Sequence, residues 1–342
     1  MAFDYLQKIP EPDKIISQLP LEDGIARVKK ERDREIKTVF TKESGRFLLI
    51  IGPCSAHDEN AVCEYVTRLA ALQERVNDSI IIVPRIYTNK PRTTGIGYKG
   101  MAHQPDPQEK PNIVEGIKAI RRMHIRALRE SHLAAADEML YPENYPYLED
   151  VLSYVAIGAR SVENQQHRLT VSGLDIPVGM KNPTSGDLDV MLNSVMAAQS
   201  SHRFSYNGWE VMTSGNPYAH CILRGAVNHY GQHISNYHYE DLVGLAETYL
   251  EKAFENPVIV VDTNHANSNK RYKEQPRIAY EVMNSRANSE LLRDIVRGLM
   301  IESFLVEGSQ DVAEGVYGKS ITDPCLGWDD TERLVLGIAE RL

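Results

Sequence analysis

Short apolar runs, many rich in β-branched residues, alternate with longer amphipathic stretches along most of the chain. Such runs predict buried strands, and apolar residues at helical spacing predict helices. The predicted strands span residues 46 to 54, 79 to 87, 133 to 140, 155 to 160, 176 to 181, 220 to 225, 257 to 265 and 298 to 308. The predicted helices span 59 to 77, 112 to 130, 143 to 154, 161 to 172, 186 to 200, 239 to 254, 275 to 294 and 329 to 341.

Eight strands that are each followed by a helix predict an α/β fold, the (β/α)8 TIM barrel. The apolar runs are continuous, as in parallel strands that are covered on both faces. We therefore predict one barrel domain over residues 46 to 342. Residues 1 to 45 lie outside this pattern and contain the charged stretch EDGIARVKKERDREIKTVF. This stretch predicts an N-terminal helical extension that packs on the barrel or on a neighbouring subunit.

A titratable side chain stands at the carboxyl end of every predicted strand. In a TIM barrel these ends open at one mouth, where the active site lies. The residues are Cys54, Arg85, Glu138, Arg160, Lys181, Arg224, His265 and Glu302. Any single one could simply mark the point where a strand meets water. Eight of them at a common mouth predict a functional site.

Four of these residues are cations, which would repel one another unless an anion lay between them. Arginine suits phosphate and carboxylate groups, and lysine adds a compact charge. The segment KPRTTGIGYKG, after the second strand, adds Lys90, Arg92, Thr93 and Thr94. We predict that the mouth binds phosphate and carboxylate and that this segment binds a second phosphate. The alternative is a flexible surface loop.

The same segment contains the dinucleotide-binding pattern G-x-G-x-x-G at Gly95, Gly97 and Gly100. That pattern requires a helix that begins within the glycines. Here the chain continues as MAHQPDPQEKP, whose prolines disfavour a helix. We therefore reject a dinucleotide site.

The remaining strand ends carry groups that bind metal ions. Cys54, His265 and Glu302 offer thiolate, imidazole and carboxylate, and Asp323 in KSITDPC offers a further carboxylate. A mixed donor set of this kind accommodates several divalent ions and does not select one. Taken singly, Cys54 also fits a buried thiol and His265 a helix cap.

Composition limits the partners and the location. The net charge is -9 and no long run of lysine or arginine occurs, which argues against nucleic acid. No apolar run approaches the roughly 20 residues that a membrane span requires. The segment MAFDYLQKIPEPDK lacks the basic and apolar regions of a secretory signal, which predicts a cytoplasmic protein. Four cysteines without a C-x-x-C pair do not predict a disulfide framework.

Taken together, these motifs resemble the type I 3-deoxy-D-arabino-heptulosonate 7-phosphate (DAHP) synthases, in particular the group that includes the enterobacterial feedback-regulated enzymes. The matching segments are IGPCSAHD, PRIYTNKPRTTGIGYKG, IGARSVENQQHR, PVGMKNPTSGD, HCILRG, DTNHANSNK, IESFLVEGSQ and YGKSITDPCLGW. The resemblance implies a metal-dependent transferase on a TIM barrel. Such an enzyme condenses phosphoenolpyruvate with D-erythrose 4-phosphate to DAHP and inorganic phosphate, the first step of the shikimate pathway to chorismate and the aromatic amino acids.

The resemblance also implies a role for each motif residue. The positions that match ligands of a divalent metal ion (Mn, Fe, Co or Zn) are Cys54, His265, Glu302 and Asp323. Those that match the surroundings of phosphoenolpyruvate are Arg85, Glu138, Arg160, Lys181 and Arg224. Those that match the segment receiving erythrose 4-phosphate are Lys90, Pro91, Arg92, Thr93 and Thr94. The catalytic candidates are Lys90, Lys181, Glu138 and His265, with Lys181 and Glu138 handling protons.

Three other functions are weighed against this one. A related synthase that uses arabinose 5-phosphate would carry a K-A-N-R-S-type segment in place of KPRTT. An aminated erythrose 4-phosphate would fit the same phosphate-binding groups, so a role in an antibiotic pathway stays open. A non-catalytic, phosphate-binding barrel would lack part of the metal set, whereas all four ligand positions are filled here.

Regulation and assembly follow the resemblance least well. Feedback-inhibited relatives bind phenylalanine, tyrosine or tryptophan with an N-terminal extension and a hairpin before the sixth barrel strand. The corresponding segment here, SSHRFSYNGWEVMTSGNPYAH, is shorter than the resemblance leads us to expect. We therefore expect inhibition by an aromatic amino acid to be absent or altered. Since relatives are dimers or tetramers, we also expect a homodimer or homotetramer.

Overall fold

A barrel of eight parallel strands forms the centre of the protein, whose computed structural model describes residues 3–90, 92 and 97–342. The described strands are Phe47–Gly52 (β1), Ile80–Pro84 (β2), Ala136–Glu138 (β3), Tyr154–Ile157 (β4), Val178–Lys181 (β5), Arg203–Tyr206 (β6), Trp209–Met212 (β7), Ala219–Leu223 (β8), Ala226–Val227 (β9), His233–Ile234 (β10), Ile259–Asp262 (β11), Val296–Glu302 (β12), Val306–Ser309 (β13) and Lys319–Ser320 (β14). The barrel order is β2–β1–β12–β11–β8–β5–β4–β3. A parallel bridge between Arg85 and Ala136 joins the two end strands, so the predicted TIM barrel is confirmed.

Helices surround the barrel and begin, in several cases, at side chains that accept a hydrogen bond from the first helical turn. In the described part of the chain they are Pro12–Gln18 (α1), Asp23–Phe40 (α2), Glu59–Val76 (α3), Ile113–Ser131 (α4), Gln165–Val171 (α5), Leu188–Gln199 (α6), Tyr239–Glu251 (α7), Gln275–Ala287 (α8), Glu290–Ile295 (α9) and Trp328–Ala339 (α10). Asp58, Asn112, Asn164, Asp187 and Ser289 are such caps. None of these helices is long and apolar enough to span a membrane.

Three helices differ from the prediction. The predicted helix at 143 to 154 is wrong, because the structure has a 3-10 helix, Pro142–Tyr147, with a proline inside it. The helix predicted from 161 begins only at Gln165, after the Asn164 cap. The helix predicted from 275 to 294 is two helices, since the Ser289 side chain accepts a hydrogen bond from Leu292 N and starts a new one.

The barrel strands are buried on both faces, which explains their continuous apolar sequence. All six residues of β1 are buried, and so are all seven of β12. Cys63 and Cys221 lie in the large core cluster that also contains residues of the surrounding helices. These two cysteines are therefore core thiols. The carboxyl ends of the strands carry polar residues at one end of this apolar cylinder.

Candidate active site

One cavity of about 330 Å³ lies at the carboxyl ends of the barrel strands. The charged and imidazole side chains in its lining are Arg85, Lys90, Arg92, Glu138, Arg160, Lys181, Arg224, His233, His265, Lys270 and Asp323. Cys54 and Glu302 are buried in contact with this lining, against Lys90 and Arg85. The structure thus brings the eight predicted strand-end residues together. Pro91, Thr93 and Thr94 lie outside the described residues.

Mutual repulsion among the cations indicates an anion site. Burial lowers the pKa of Arg224, and the neighbouring Arg160 lowers it further, although Asp262 acts in the opposite direction. Nη1 of Arg224 is buried and has no hydrogen-bond partner. A phosphate or carboxylate in the cavity would supply that partner and offset the repulsion.

Arg85 is fixed at the floor of the site by an ion pair. Its Nη2 lies 2.9 Å from Oε1 of Glu302, and its Nη1 donates to the Pro53 carbonyl at 2.8 Å. Burial alone would lower the pKa of Arg85, but the attraction of Glu302 outweighs it and raises that pKa. The guanidinium also lies 3.8 Å from the centre of the Tyr87 ring. Arg85 is therefore a permanent positive charge in one orientation.

Asp262 connects two of the predicted catalytic residues. Its Oδ2 accepts hydrogen bonds from Lys181 Nζ at 3.1 Å and from His265 Nδ1 at 2.8 Å. Burial opposes ionisation, but His265 and Lys181 outweigh it and lower the pKa of Asp262. His265 itself has a left-handed backbone, φ 49°. One carboxylate therefore orients both the lysine and the imidazole.

Glu138 reaches the cavity because no side chain stands opposite it. A Cβ added to Gly158 would lie 2.3 Å from Oε1 of Glu138, so any larger residue would displace the carboxylate. Glycine at this position therefore leaves room for the Glu138 carboxylate to lie where it does. The arrangement leaves Glu138 beside the cations at the mouth.

The predicted metal donors fit a divalent ion in kind, but they are arranged in pairs. Cys54 Sγ lies 3.6 Å from Oδ2 of Asp323, and His265 Nε2 lies 4.0 Å from Oε1 of Glu302. Among the described residues, no three metal-binding side chains converge closely enough to bind one ion as they stand. Oε1 of Glu302 is nevertheless buried without a hydrogen bond, although the Arg85 cation lies close to it. This buried carboxylate oxygen, and the thiol, imidazole and carboxylate around it, are donors of the kinds that bind a divalent metal.

Burial and neighbouring charges shift the pKa values of the proposed metal ligands in different directions. The pKa of Asp323 falls to about 2, because Lys90 and Lys270 outweigh the effect of burial. Burial raises the pKa of the Cys54 thiol, and Glu302 adds to the rise, while Lys90 Nζ lies only 2.9 Å from Sγ and opposes it. A metal ion at Cys54 would have to displace the thiol proton.

Sequence reasoning missed two residues of the site, Asp262 and Lys270. Lys270 Nζ lies 3.3 Å from Oδ1 of Asp323, and Asp262 lies between Lys181 and His265. Both belong to the segment DTNHANSNK, from which only His265 had been assigned a role. A carboxylate three residues before a histidine, at the end of a buried strand, was the available signal.

A second cavity lies outside the barrel, beneath the hairpin of β6 and β7. The hairpin closes through Asn207 and Gly208, both with positive φ, which is typical of a two-residue turn. The cavity measures about 320 Å³ and is lined by Tyr145, Glu149, Thr170, Gly173, Leu174, Phe204, Tyr206, Val211, Met212, Thr213 and Ser214. Burial raises the pKa of Glu149, and the neighbouring Asp150 raises it further. The hairpin therefore covers a space of ligand size.

Comparison with known proteins gives one consistent result. The model of the DAHP synthetase I family matches residues 26–336. The chain is 37% identical to the Phe-sensitive phospho-2-dehydro-3-deoxyheptonate aldolase of Escherichia coli K12 over an alignment of 342 residues, which covers 98% of this chain and 94% of that protein. It is 36% identical over 343 residues to the Trp-sensitive enzyme of the same strain, with 98% and 95% covered. The solved structure of the Francisella tularensis phospho-2-dehydro-3-deoxyheptonate aldolase superimposes with a TM-score of 0.91 at 30% identity, with 100% of this chain and 98% of that one covered.

Proposed function

Since the chain belongs to the DAHP synthetase I family and condenses phosphoenolpyruvate with D-erythrose 4-phosphate to DAHP and inorganic phosphate, we propose that this reaction takes place in the cavity at the barrel mouth. The observation that carries the proposal is the gathering of cations there. Phosphoenolpyruvate brings about three negative charges and the sugar phosphate about two. Six cations line one cavity of this otherwise acidic protein and can bind these negative charges. They are Arg85, Lys90, Arg92, Arg160, Lys181 and Arg224. Such a mouth concentrates anionic substrates.

Phosphoenolpyruvate binds, in this proposal, among Arg85, Arg160, Lys181 and Arg224. Arg85 is anchored by Glu302, while Arg224 has a buried nitrogen that still needs an acceptor. The planar guanidinium groups suit the phosphate and the carboxylate, and Lys181 adds a charge at the floor. Holding the substrate at several points fixes its carbon 3 towards the second substrate.

Erythrose 4-phosphate binds beside Lys90 and Arg92. Lys90 is buried, its backbone N–H donates to the Lys99 carbonyl at 3.1 Å, and its ammonium points to the Cys54 thiol. The aldehyde would thus lie near the proposed metal donors, and the phosphate further out, beside Arg92. This order brings the aldehyde carbon to carbon 3 of phosphoenolpyruvate.

Lys181 and Glu138 handle the protons. As the carbon–carbon bond forms, Lys181 Nζ protonates the aldehyde oxygen, which becomes a hydroxyl group. The Glu138 carboxylate takes a proton from the water that adds at carbon 2, and phosphate then leaves from that carbon to give the ketone. The sum is one phosphoenolpyruvate, one erythrose 4-phosphate and one water in, and one DAHP and one phosphate out.

Members of the family generally depend on a divalent metal ion. We propose that Cys54, His265, Glu302 and Asp323 bind it here, with His265 held in place by Asp262. A bound ion would supply Lewis acidity towards the aldehyde oxygen. The identity of the ion, Mn, Fe, Co or Zn, is left open by this donor set.

Release of inorganic phosphate from phosphoenolpyruvate tests the proposed function. The metal-reconstituted protein is incubated with erythrose 4-phosphate, with arabinose 5-phosphate, with aminated erythrose 4-phosphate or with no aldehyde. We expect release that requires both metal and erythrose 4-phosphate, because only this acceptor fits the family's reaction. Release with arabinose 5-phosphate alone would contradict the proposal. So would the absence of release with every aldehyde.

Sensitivity to aromatic amino acids is a separate prediction. We expect phenylalanine, tyrosine and tryptophan at micromolar concentration to leave phosphate release unchanged. The described lining of the hairpin cavity offers Glu149 but no cation for an amino-acid carboxylate. The Phe-sensitive enzyme of E. coli, titrated in parallel, is the control, and micromolar inhibition of this chain would refute the prediction.

We also propose that the protein is a homo-oligomer, a homodimer or homotetramer. Phe3, Tyr5 and Leu6 near the start of the chain are between 78% and 92% exposed. Three large apolar side chains in one exposed segment favour contact with another subunit.

A further inference from the structure

A buried carboxylate joins the end of β3 to the base of the cationic loop, which we define as residues 88–102. Oδ1 of Asp137 accepts hydrogen bonds from the backbone N–H of Thr88 at 2.9 Å and of Glu138 at 2.7 Å. Oδ2 accepts a hydrogen bond from the Thr88 hydroxyl and lies 3.4 Å from Nε2 of His124 on α4. Asp137 and His124 are both buried. One side chain therefore links β3, α4 and the cationic loop.

These contacts lie next to two residues that line the cavity. Thr88 precedes Lys90 by two residues, and Lys90 Nζ is 2.9 Å from Cys54 Sγ. Glu138 follows Asp137 directly. Asp137 holds Thr88 through this contact, whereas Glu138 is also held by its pairing with Ala156 in the barrel, so the loss of Asp137 should act mainly on the segment that carries Lys90.

Few backbone hydrogen bonds join β2 to β3, so the side chain of Asp137 contributes to the connection between these two strands. Arg85 and Ala136 form a single bridge between the two end strands, and Ile86 N donates to the Ala136 carbonyl at 2.8 Å. Beyond that point, towards the mouth, Asp137 continues the connection through Thr88. The seam between β2 and β3 is thus closed on the active-site side by a side chain.

The far end of the cationic loop returns to the same point. Ala102 N donates to the Thr88 carbonyl at 3.2 Å, and Lys90 N donates to the Lys99 carbonyl at 3.1 Å. Gly100 has φ 96°, and a Cβ there would lie 2.4 Å from the Thr88 oxygen. The loop closes on Thr88, so a displacement of Thr88 would move Lys90.

His124 completes the arrangement. Its Nδ1 is buried without a hydrogen-bond partner, so in the neutral ring the proton belongs on Nε2, which faces Asp137. The carboxylate then receives donors from both the loop and α4. These hydrogen bonds fix the orientation of the Asp137 carboxylate, which in turn fixes Thr88.

We propose that Asp137 is a positioning residue for the erythrose 4-phosphate side of the active site. It fixes Thr88 and thereby places Lys90 where the sugar phosphate binds. This inference rests on the proposed function, because it assigns a support to one of the two substrate sites.

Steady-state kinetics with three variants test the proposal. Asp137→Ala should raise the KM for erythrose 4-phosphate about tenfold, with the KM for phosphoenolpyruvate changed less than about threefold. Asp137→Asn should stay within about threefold of the wild type for both, because its amide oxygen still accepts from Thr88 N, and its NH₂ can donate to the Thr88 hydroxyl and, with the His124 proton moved to Nδ1, to Nε2 of that ring. Thr88→Val removes only the hydroxyl contact, so its KM for erythrose 4-phosphate should lie between those of the two Asp137 variants. It replaces Asp137→Ala in the test if that variant does not fold.

Asn216→Ala is the matched control. Asn216 is also fully buried and also accepts a backbone N–H, that of Tyr218 at 2.9 Å, but it lies before β8 at the other end of the barrel. This variant should leave both KM values unchanged. A loss of kcat with unchanged KM values in Asp137→Ala, or an equal rise in both, would mean that Asp137 only stabilises the fold and would overturn the proposal.

Hydrogen exchange gives a readout that does not depend on turnover. The amides of residues 88–90 and 97–102 should exchange faster in Asp137→Ala than in the wild type, and Asn216→Ala should not change them. Exchange at the wild-type rate in Asp137→Ala would overturn the proposal. If the wild-type protein released no phosphate with erythrose 4-phosphate, the proposed function would fail, whereas the exchange result would still show whether Asp137 holds the loop.

Discussion

Replacement of Lys181 by methionine is expected to lower the rate of phosphate release by about 10³-fold. Lys181 is buried at the cavity floor, and its Nζ lies 3.1 Å from Asp262. Methionine approximates the length of the side chain but can neither carry the proton nor attract phosphoenolpyruvate. Single-turnover and steady-state assays with both substrates measure the effect.

The fold should survive this replacement. Asp262 keeps its hydrogen bonds from His265 Nδ1 at 2.8 Å and from Asn264 N at 3.0 Å, so its charge is not left without a partner. Circular dichroism should therefore match the wild type. Lys252→Met is the control, because Lys252 is exposed and pairs with Asp189 on the surface, and its activity should be normal. Near-normal turnover of the Lys181 variant would remove this lysine from the mechanism.

Removal of divalent metal is expected to abolish phosphate release, and added divalent ion is expected to restore it. The physical reason is the proposed donor set: two pairs of side chains that can bind metal, Cys54 with Asp323 and His265 with Glu302, adjoin the proposed site of the aldehyde. Treatment with a chelator, dialysis and addition of Mn²⁺, Fe²⁺, Co²⁺ or Zn²⁺ in turn measures the requirement. Full activity of the chelator-treated protein, with its metal content verified as zero, would contradict the prediction.

Binding of the ion can be followed without an activity assay. An ion present at about 100 times its dissociation constant should stabilise the folded protein by about 2.7 kcal/mol, visible as a rise in melting temperature. Cys54→Ala should lose this rise and the bound metal. Cys63→Ala removes an equally buried thiol that lies on α3 instead of at a strand end, so it should keep both. Retention of stoichiometric metal by Cys54→Ala would exclude Cys54 as a ligand.

The barrel was predictable from the sequence because its strands are covered on both faces. Their continuous apolar runs mark them clearly, and the rule that strands alternate with helices leaves little choice of architecture. The same rule predicts that the strand-end residues lie at one mouth. The 3-10 helix at Pro142–Tyr147 was missed because its apolar residues mimic helical spacing, while Pro146 prevents a regular helix.

The contacts inside the site were less predictable. The pairing of Lys90 with Cys54 joins residues from different strands, as does the pairing of Arg85 with Glu302. No periodic pattern records such a pair, and only the folded chain brings the partners within 3 Å. Asp262 was passed over for the same reason, since its role depends on Lys181, which is distant in sequence.

The carboxylate of Asp262 also limits how this enzyme can change over evolutionary time. Its Oδ2 serves Lys181 from β5 and His265 from the segment after β11 at once. A substitution that suits one partner leaves the other with an unpaired buried donor, so single mutational steps at these three positions are disfavoured. A change of acid–base chemistry on this barrel would therefore require simultaneous replacements at the ends of two strands, and such combined changes arise less often than single substitutions.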